Sequence, residues 1–219
     1  MIRAVLFDLD GTLADTAPDL GGALNRVLAA HGRDIISLPA LRPYTSQGVR
    51  GLLRAGFGIG QDSPDYANLA NEVLAQYQAH ICDETRLFDG MDELLANLEE
   101  RGLPWGIVTN KHARFTAPLI EALRLRERAA CIVSGDTTAR AKPAPDPLLF
   151  AAHAIEIPAD ACMYIGDDKR DMVAAQSAAM LPIAAQWGYL GVDDPIDTWG
   201  ATHILQHPLQ VLDCLGAAG

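Results

Sequence analysis

Short apolar runs recur along the chain, and each stops at a polar or glycine-bearing turn. The first, Ile2 to Phe7, ends abruptly at Asp8-Leu9-Asp10-Gly11. A short run rich in apolar and β-branched residues and bounded by turn residues predicts a buried strand. After a long interval come Trp105 to Thr109, Cys131 to Ser134, Cys162 to Ile165 and Pro182 to Ala185, with Thr202 to Leu205 a weaker sixth. Between them the apolar positions switch to helical spacing. Met91 to Glu100 carries Leu94, Leu95 and Leu98 on one face, and Arg114 to Leu123, Pro147 to Ile155 and Met172 to Ala179 follow the same rule. Strands alternating with helices predict an α/β fold: a doubly wound, Rossmann-like parallel sheet covered on both faces. Its ligand crevice lies beyond the carboxyl ends of the strands.

From about Thr16 to Ile81 no strand is evident, and helical segments follow one another. Thr16 or Asp15 is placed to cap the first, with Pro18 near its start. Ser63-Pro64-Asp65 has the cap-then-proline order that opens the last. There Tyr66, Leu69, Val73 and Tyr77 repeat at helical spacing, the pattern of core packing. The predicted division is therefore a catalytic core of residues 1–15 and 84–219 and an inserted α-helical cap of residues 16–83. The insertion leaves the chain just after the first strand, so it overhangs the crevice as a lid.

A length of 219 residues suits one core domain with an insertion better than two independent domains. The formal net charge of −11 disfavours nucleic acid and anionic membranes, which need a basic footprint, and favours a small-molecule partner. The apolar run after Met1 is too short for a signal peptide, and no later run reaches membrane-spanning length. Cys82, Cys131, Cys162 and Cys214 are scattered without a C-x-x-C pair, so a reducing cytoplasm is the expected setting. A monomer or homodimer is expected.

Asp8 and Asp10 are two apart at a predicted strand end, which aims both carboxylates to one side. Gly11 allows a tight turn, and Thr12 can hydrogen-bond within it. A polar turn after a strand would carry similar residues. Gly166-Asp167-Asp168-Lys169-Arg170-Asp171 also follows an apolar run, and Asp171 stands one helical turn beyond Asp167. An ordinary helix N-terminus would carry such acids too. Together these carboxylates would repel one another at the sheet edge without a cation. Oxygen ligands indicate magnesium rather than zinc, since no histidine pair has zinc-like spacing near them. The loop does not fit an EF-hand, whose glycine comes sixth. Thr109 and Asn110 precede a helix start and suit an anion. Lys142, in Lys142-Pro143-Ala144-Pro145-Asp146-Pro147, is a positive charge on a stiffened loop, although a solvated surface lysine is the commoner case.

In chain order, the acidic pair, Thr109-Asn110, Lys142-Pro143 and Gly166-Asp167-Asp168 resemble the four motifs of the haloacid dehalogenase-like hydrolase superfamily. The resemblance covers the whole chain. It implies a Rossmann-like core, a helical cap inserted after the first motif, and phosphoryl transfer through an aspartyl-phosphate. By the same resemblance Asp8 is the nucleophile and a metal ligand, and Asp10 protonates the leaving alcohol, later activates water and lends its backbone carbonyl to the metal. Thr109 and Asn110 hold phosphoryl oxygens, Lys142 offsets charge around Asp8, and Asp167 completes the protein ligands of Mg2+. Asp171 stands behind the ligands. Asp168 occupies a position where many relatives have Ser, Thr or Asn.

Dehalogenases lack the second aspartate and ion-pumping ATPases carry threonine there, so the Asp8 and Asp10 pair implies a phosphatase or a phosphomutase. Tyr77-Gln78-Ala79-His80, Trp105 to Lys111, Gly166 to Asp168 and Trp187-Gly188-Tyr189 resemble the phosphoglycolate-phosphatase branch, including relatives that act on N-acetylmuramic acid 6-phosphate. The implied substrate is a small phosphorylated metabolite of that kind. Both compounds carry a carboxylate, so a cationic cap residue is expected, and Arg50, beside Gly48 and Gly51, is the candidate. A solvent-facing helix arginine would look the same. A β-phosphoglucomutase-like sugar phosphomutase is the nearest alternative. A signalling receiver would be shorter and lack the insertion, and a non-catalytic binding module would have no use for Asp10.

Overall fold

The computed structural model of the protein describes residues 1–191 and 194–216. Its main sheet has six parallel strands in the order β5-β4-β1-β6-β7-β8. These are β1 (Ala4–Phe7), β4 (Trp105–Val108), β5 (Cys131–Val133), β6 (Cys162–Gly166), β7 (Leu181–Ala185) and β8 (His203–Leu205). The helices of this layer are α5 (Met91–Glu100), α6 (Ala113–Ala122), α7 (Asp146–Ala154) and α8 (Lys169–Ser177), with α9 (Val211–Gly216) near the end of the chain.

Strand β1 lies between β4 and β6 and is buried at every position, which explains why its residues are apolar on both faces. Val5 and Phe7 pack with Leu94, Leu95 and Leu98 of α5 and Leu119 of α6. Ala4 and Leu6 face the opposite side, towards Leu148 and Ala151 of α7 and Ala174 of α8. The chain winds outward from β1 in both directions, so the switch point of the topology lies at its carboxyl end. That is where a ligand crevice opens in such sheets.

Four helices follow β1: α1 (Ala17–Ala30), α2 (Leu38–Thr45), α3 (Gly48–Phe57) and α4 (Tyr66–Ala79). They bury a core of their own, with Leu24, Leu41, Leu52, Leu53, Val73 and Tyr77 in contact, and Phe115 of α6 inserts into it from the sheet side. A two-stranded antiparallel ribbon of β2 (Ala14–Asp15) and β3 (Arg86–Leu87), absent from the expected elements, brackets this helical unit. Its strands are too short for any periodic signal. Asp19 of α1, only 3% exposed, fastens the returning chain by accepting from the Glu84 and Thr85 N–H groups and the Thr85 hydroxyl.

Helix α8 starts at Lys169, three residues before its apolar pattern begins, because Asp168 caps it. The Asp168 carboxylate accepts the Arg170 N–H at 2.8 Å, and Asp171 in return accepts the Asp168 N–H at 3.1 Å. The expected caps of α1 and α4 differ in detail. Thr16 is at the N-cap of α1, but its hydroxyl goes to Asp10; at α4 the N-cap is Asp65 rather than Ser63. No helix among the described residues is long and apolar enough to cross a membrane.

Candidate active site

At the carboxyl end of β1 the chain turns back on itself, with Leu9 buried between Asp8 and Asp10. The Leu9 carbonyl accepts from the N–H groups of Leu13 and Ala14. Gly11 has φ of +83°, and a Cβ there would lie 2.1 Å from Asp167 Oδ2, so only glycine fits. The Thr12 hydroxyl, expected to bond within the turn, instead donates to Asp167 Oδ1 at 3.0 Å. Thus the first acidic loop is bonded directly to the second, 155 residues away.

Lys142 is the central cation. Its ammonium lies 2.9 Å from Asp8 Oδ1 and 2.7 Å from Asp171 Oδ1. Its three N–H bonds are directed at Asp171, the Tyr164 hydroxyl (2.7 Å) and the Val108 carbonyl (3.1 Å). Burial alone would lower the Lys142 pKa, but Asp171 and Asp8 outweigh it and raise it. Asn110 fixes this loop: its side-chain amide donates to the Lys142 carbonyl (2.9 Å) and accepts the Lys142 N–H (3.0 Å). The Asn110 side chain is therefore engaged in holding Lys142 even as the residue lines the cavity. Thr109, 2% exposed, lines it too, and its Oγ1 accepts the Lys111 N–H.

Carboxylate oxygens of Asp8, Asp167 and Asp171 lie within 4.8 Å of one another. Burial, then the nearby Asp8 and Asp171 charges, push the Asp167 pKa well above the carboxylate range, against the lowering effect of the Tyr189 N–H and Thr12 hydroxyl. Burial pushes Asp171 up to about 6, with Lys142 opposing and Asp8 adding to the rise. Asp8 Oδ1 is buried and accepts no hydrogen bond, because the Lys142 N–H bonds aim elsewhere. Three carboxylates against one ammonium, all oxygen donors, with one lone pair unsatisfied, fit a hard divalent cation such as magnesium. Both Asp171 oxygens are engaged, one by Lys142 and the other by the Asp168 N–H. The Asp10 carboxylate stands apart: its Oδ1 accepts from the Thr16 hydroxyl at 2.6 Å and pairs with Lys111 at 2.8 Å.

Asp8, Asp10, Lys142 and Asp171 line a cavity of about 360 Å³ between sheet and helical unit, with Asp167 buried outside its lining. The core contributes polar Asp8, Asp10, Thr109 and Lys142 to its lining; the helical unit contributes apolar Leu20, Val49, Leu74 and Tyr77, with Phe115 of α6 beside them. The α2–α3 segment closes over it. Ser46 donates its hydroxyl to Asp167 Oδ2 at 3.3 Å, and Arg170, bonded to the Asp168 carboxylate, donates to the Ser46 carbonyl at 2.7 Å.

Arg50 is the expected binding residue that the structure leaves out. Helix α3 begins at Gly48, so Gln47 to Val49 line the cavity while Arg50 turns to the exposed face shared with Arg54. Four residues of the site were not anticipated: Lys111, Ser46, Arg170 and Tyr189. Lys111 directly follows Asn110, and its ammonium also lies 4.6 Å from the Tyr77 ring centroid. Tyr189 gives its backbone N–H to Asp167 (2.9 Å), and its hydroxyl accepts from the N–H groups of Thr16 and Ala17.

Residues 5–185 match the model of a family described as haloacid dehalogenase-like hydrolase. The chain is 40% identical over 217 residues to an N-acetylmuramic acid 6-phosphate phosphatase of Pseudomonas aeruginosa, covering 99% of this chain and 96% of that one. It is 43% identical over 210 residues to a phosphoglycolate phosphatase of Xanthomonas campestris, covering 95% and 94%. In fold it matches the crystal structure of a predicted phosphoglycolate phosphatase from Haemophilus somnus, with TM-score 0.85, 21% identity and 98% of each chain covered. The acidic cluster, the lysine beside it and this similarity along nearly the whole chain agree: the protein belongs to the haloacid dehalogenase-like hydrolase family.

Proposed function

We propose that this enzyme is a magnesium-dependent phosphatase that hydrolyses a small phosphate monoester through a covalent phosphate on Asp8. The observation that carries the proposal is the convergence of Asp8, Asp167 and Lys142 beneath one cavity, with Asp10 held separately beside them. Asp8, Asp167 and the Asp10 backbone carbonyl would hold the ion, which supplies positive charge that offsets repulsion between carboxylate and phosphate.

In the first step an Asp8 oxygen attacks phosphorus, the bond to the alcohol oxygen breaks, and Asp10 gives that oxygen its proton. In the second, Asp10 takes a proton from water as the water oxygen attacks phosphorus, and the bond to Asp8 breaks to release inorganic phosphate. Lys142 offsets charge on Asp8 and the phosphoryl group, and the Thr109 hydroxyl and the Asn110 backbone N–H bind phosphoryl oxygens. The Lys111 and Thr16 contacts to one Asp10 oxygen leave its other oxygen available for proton transfer. The helical unit of residues 16–83 acts as the cap that excludes water.

The substrate is N-acetylmuramic acid 6-phosphate or 2-phosphoglycolate, as in the two relatives. A cavity of about 360 Å³ with a wall of Leu, Val, Tyr and Phe side chains favours the larger sugar phosphate, which has apolar methyl groups to cover it. The enzyme acts in the cytoplasm, where its cysteines, all free, stay reduced. The test is a phosphate-release assay with magnesium on both compounds and on simple sugar phosphates. The muramic acid derivative should give the highest kcat/KM; an isomerised product without free phosphate would point to a phosphomutase instead.

A further inference from the structure

We infer that Arg114 is the cavity's receptor for a second anionic group of the substrate, a carboxylate, an inference that rests on the phosphatase reading above. Four long cationic side chains line the cavity: Lys111, Arg114, Lys142 and Arg170. Three of them are already matched. Lys142 meets Asp8 and Asp171, Lys111 meets Asp10 at 2.8 Å, and Arg170 meets Asp168 at 2.8 Å. Arg114 makes neither an ion pair nor a hydrogen bond among the described residues. The nearby Asp136 is engaged otherwise, accepting the Ala113 N–H at 2.9 Å and lying 3.7 Å from His112. The Arg114 charge is the last of the influences that lower the Asp136 pKa, and Arg114 is itself exposed, so its guanidinium is open to an anion that enters the cavity from solvent.

Its position is not left to chance. The guanidinium carbon lies over the Phe115 ring, 4.5 Å from its centroid. Phe115 is itself 5% exposed and packed into the core of the helical unit, so the ring is a fixed platform. None of the Arg114 N–H groups is used in a hydrogen bond among the described residues, so they remain for a bidentate carboxylate. Arg114 comes four residues after Asn110, which limits their Cα separation to at most about 14 Å. Asn110 and Arg114 line the same cavity, so one small molecule can present its phosphate to the first and its second anion to the other, with Leu74, Tyr77 and Phe115 also in the lining.

The test uses two phosphate esters that differ only in the lactyl ether bearing the carboxylate, N-acetylmuramic acid 6-phosphate and N-acetylglucosamine 6-phosphate. The wild-type enzyme should prefer the first in kcat/KM. In Arg114→Gln that preference should fall about tenfold or more, chiefly through KM, and Arg114→Lys should retain part of it. A preference unchanged in Arg114→Gln, or a wild-type enzyme that treats the two alike, overturns the inference. Calorimetric binding of both compounds to Asp8→Asn separates this inference from the phosphatase reading. Carboxylate-dependent binding lost in the Asp8→Asn, Arg114→Gln double variant upholds the receptor even if no phosphate is released; binding that ignores the carboxylate rejects it.

Discussion

The backbone N–H of Tyr189 donates to Asp167 Oδ2 at 2.9 Å, while the hydroxyl of the same tyrosine accepts the N–H groups of Thr16 (2.6 Å) and Ala17 (2.9 Å). It also bonds to Asp15 Oδ1 at 3.0 Å. A single residue near the end of the sheet thus joins the acidic cluster to the first turn of α1, the point at which the helical unit leaves the core. The neighbouring Gly188 permits this approach, since a Cβ there would lie 2.2 Å from Asp167 Cβ.

Removing the Tyr189 hydroxyl leaves two buried N–H groups of α1 without their acceptor but keeps the backbone contact to Asp167. Tyr189→Phe is expected to lose about 1–3 kcal/mol of stability in urea unfolding. Magnesium affinity by calorimetry should change less than about twofold, because the ligand's own support is main chain. A large loss of magnesium affinity with stability unaltered would contradict this division.

The carboxyl cluster makes stability depend on pH and on metal. In the metal-free fold the Asp167 and Asp171 pKa values are raised, Asp171 to about 6, so the folded state holds protons that the unfolded chain releases near the usual value of about 4. Stability without metal should therefore fall as pH rises from about 4 through about 6, where Asp171 titrates, and go on falling above it as Asp167 loses its proton, the opposite of the usual salt-bridged carboxylate. Lys142, raised above its ordinary range, stays charged throughout that window and does not change the sign. Magnesium, on the proposed function, would bind the deprotonated cluster, so the Tm gain on adding it should be larger at about pH 8 than at about pH 5. Thermal melts with and without magnesium check both trends.

Asp10 and Lys111 should share a kinetic signature. Asp10→Asn is expected to lower kcat by about 10²–10⁴ on a sugar phosphate and by much less on p-nitrophenyl phosphate, whose leaving group needs no proton. Lys111→Met removes the 2.8 Å ion pair that orients Asp10, and should show the same dependence on leaving group at a smaller loss of about tenfold. Equal losses on both substrates would argue against proton transfer by Asp10.

Gly11→Ala tests the joining of the two loops. The added methyl would meet Asp167 Oδ2 at 2.1 Å in a turn with φ of +83°, so magnesium binding and phosphate release should both be lost. Retained magnesium affinity in this variant would show that the loops can part without harm.

Asp8, Asp10, Thr109, Asn110 and Asp167 were legible because each stands at or just after the end of an apolar run, and a parallel sheet brings such positions to one edge; Lys142 was read from its proline-flanked loop and Asp171 from its helical spacing to Asp167. The alternation of strands and helices, and the helical insertion, were legible from periodicity for the same reason. Pairings across the chain were not. Lys111 and Asp10 are 101 residues apart, and no local spacing signals their ion pair. Arg50 was named as a cationic cap residue with a solvent-facing helix arginine as the other reading, and the structure places it exposed on the helix that Gly48 opens. The ribbon of β2 and β3 escaped notice since its two-residue strands are defined only by their partner.

The nucleophile is best tested by acid-quenching the enzyme with substrate and magnesium early in turnover and locating the phosphoryl group by mass spectrometry. It should appear on Asp8 in the wild type, with turnover abolished and no phosphorylated peptide in Asp8→Asn. A phosphoryl group on another residue, or near-normal phosphate release by Asp8→Asn, would contradict the account.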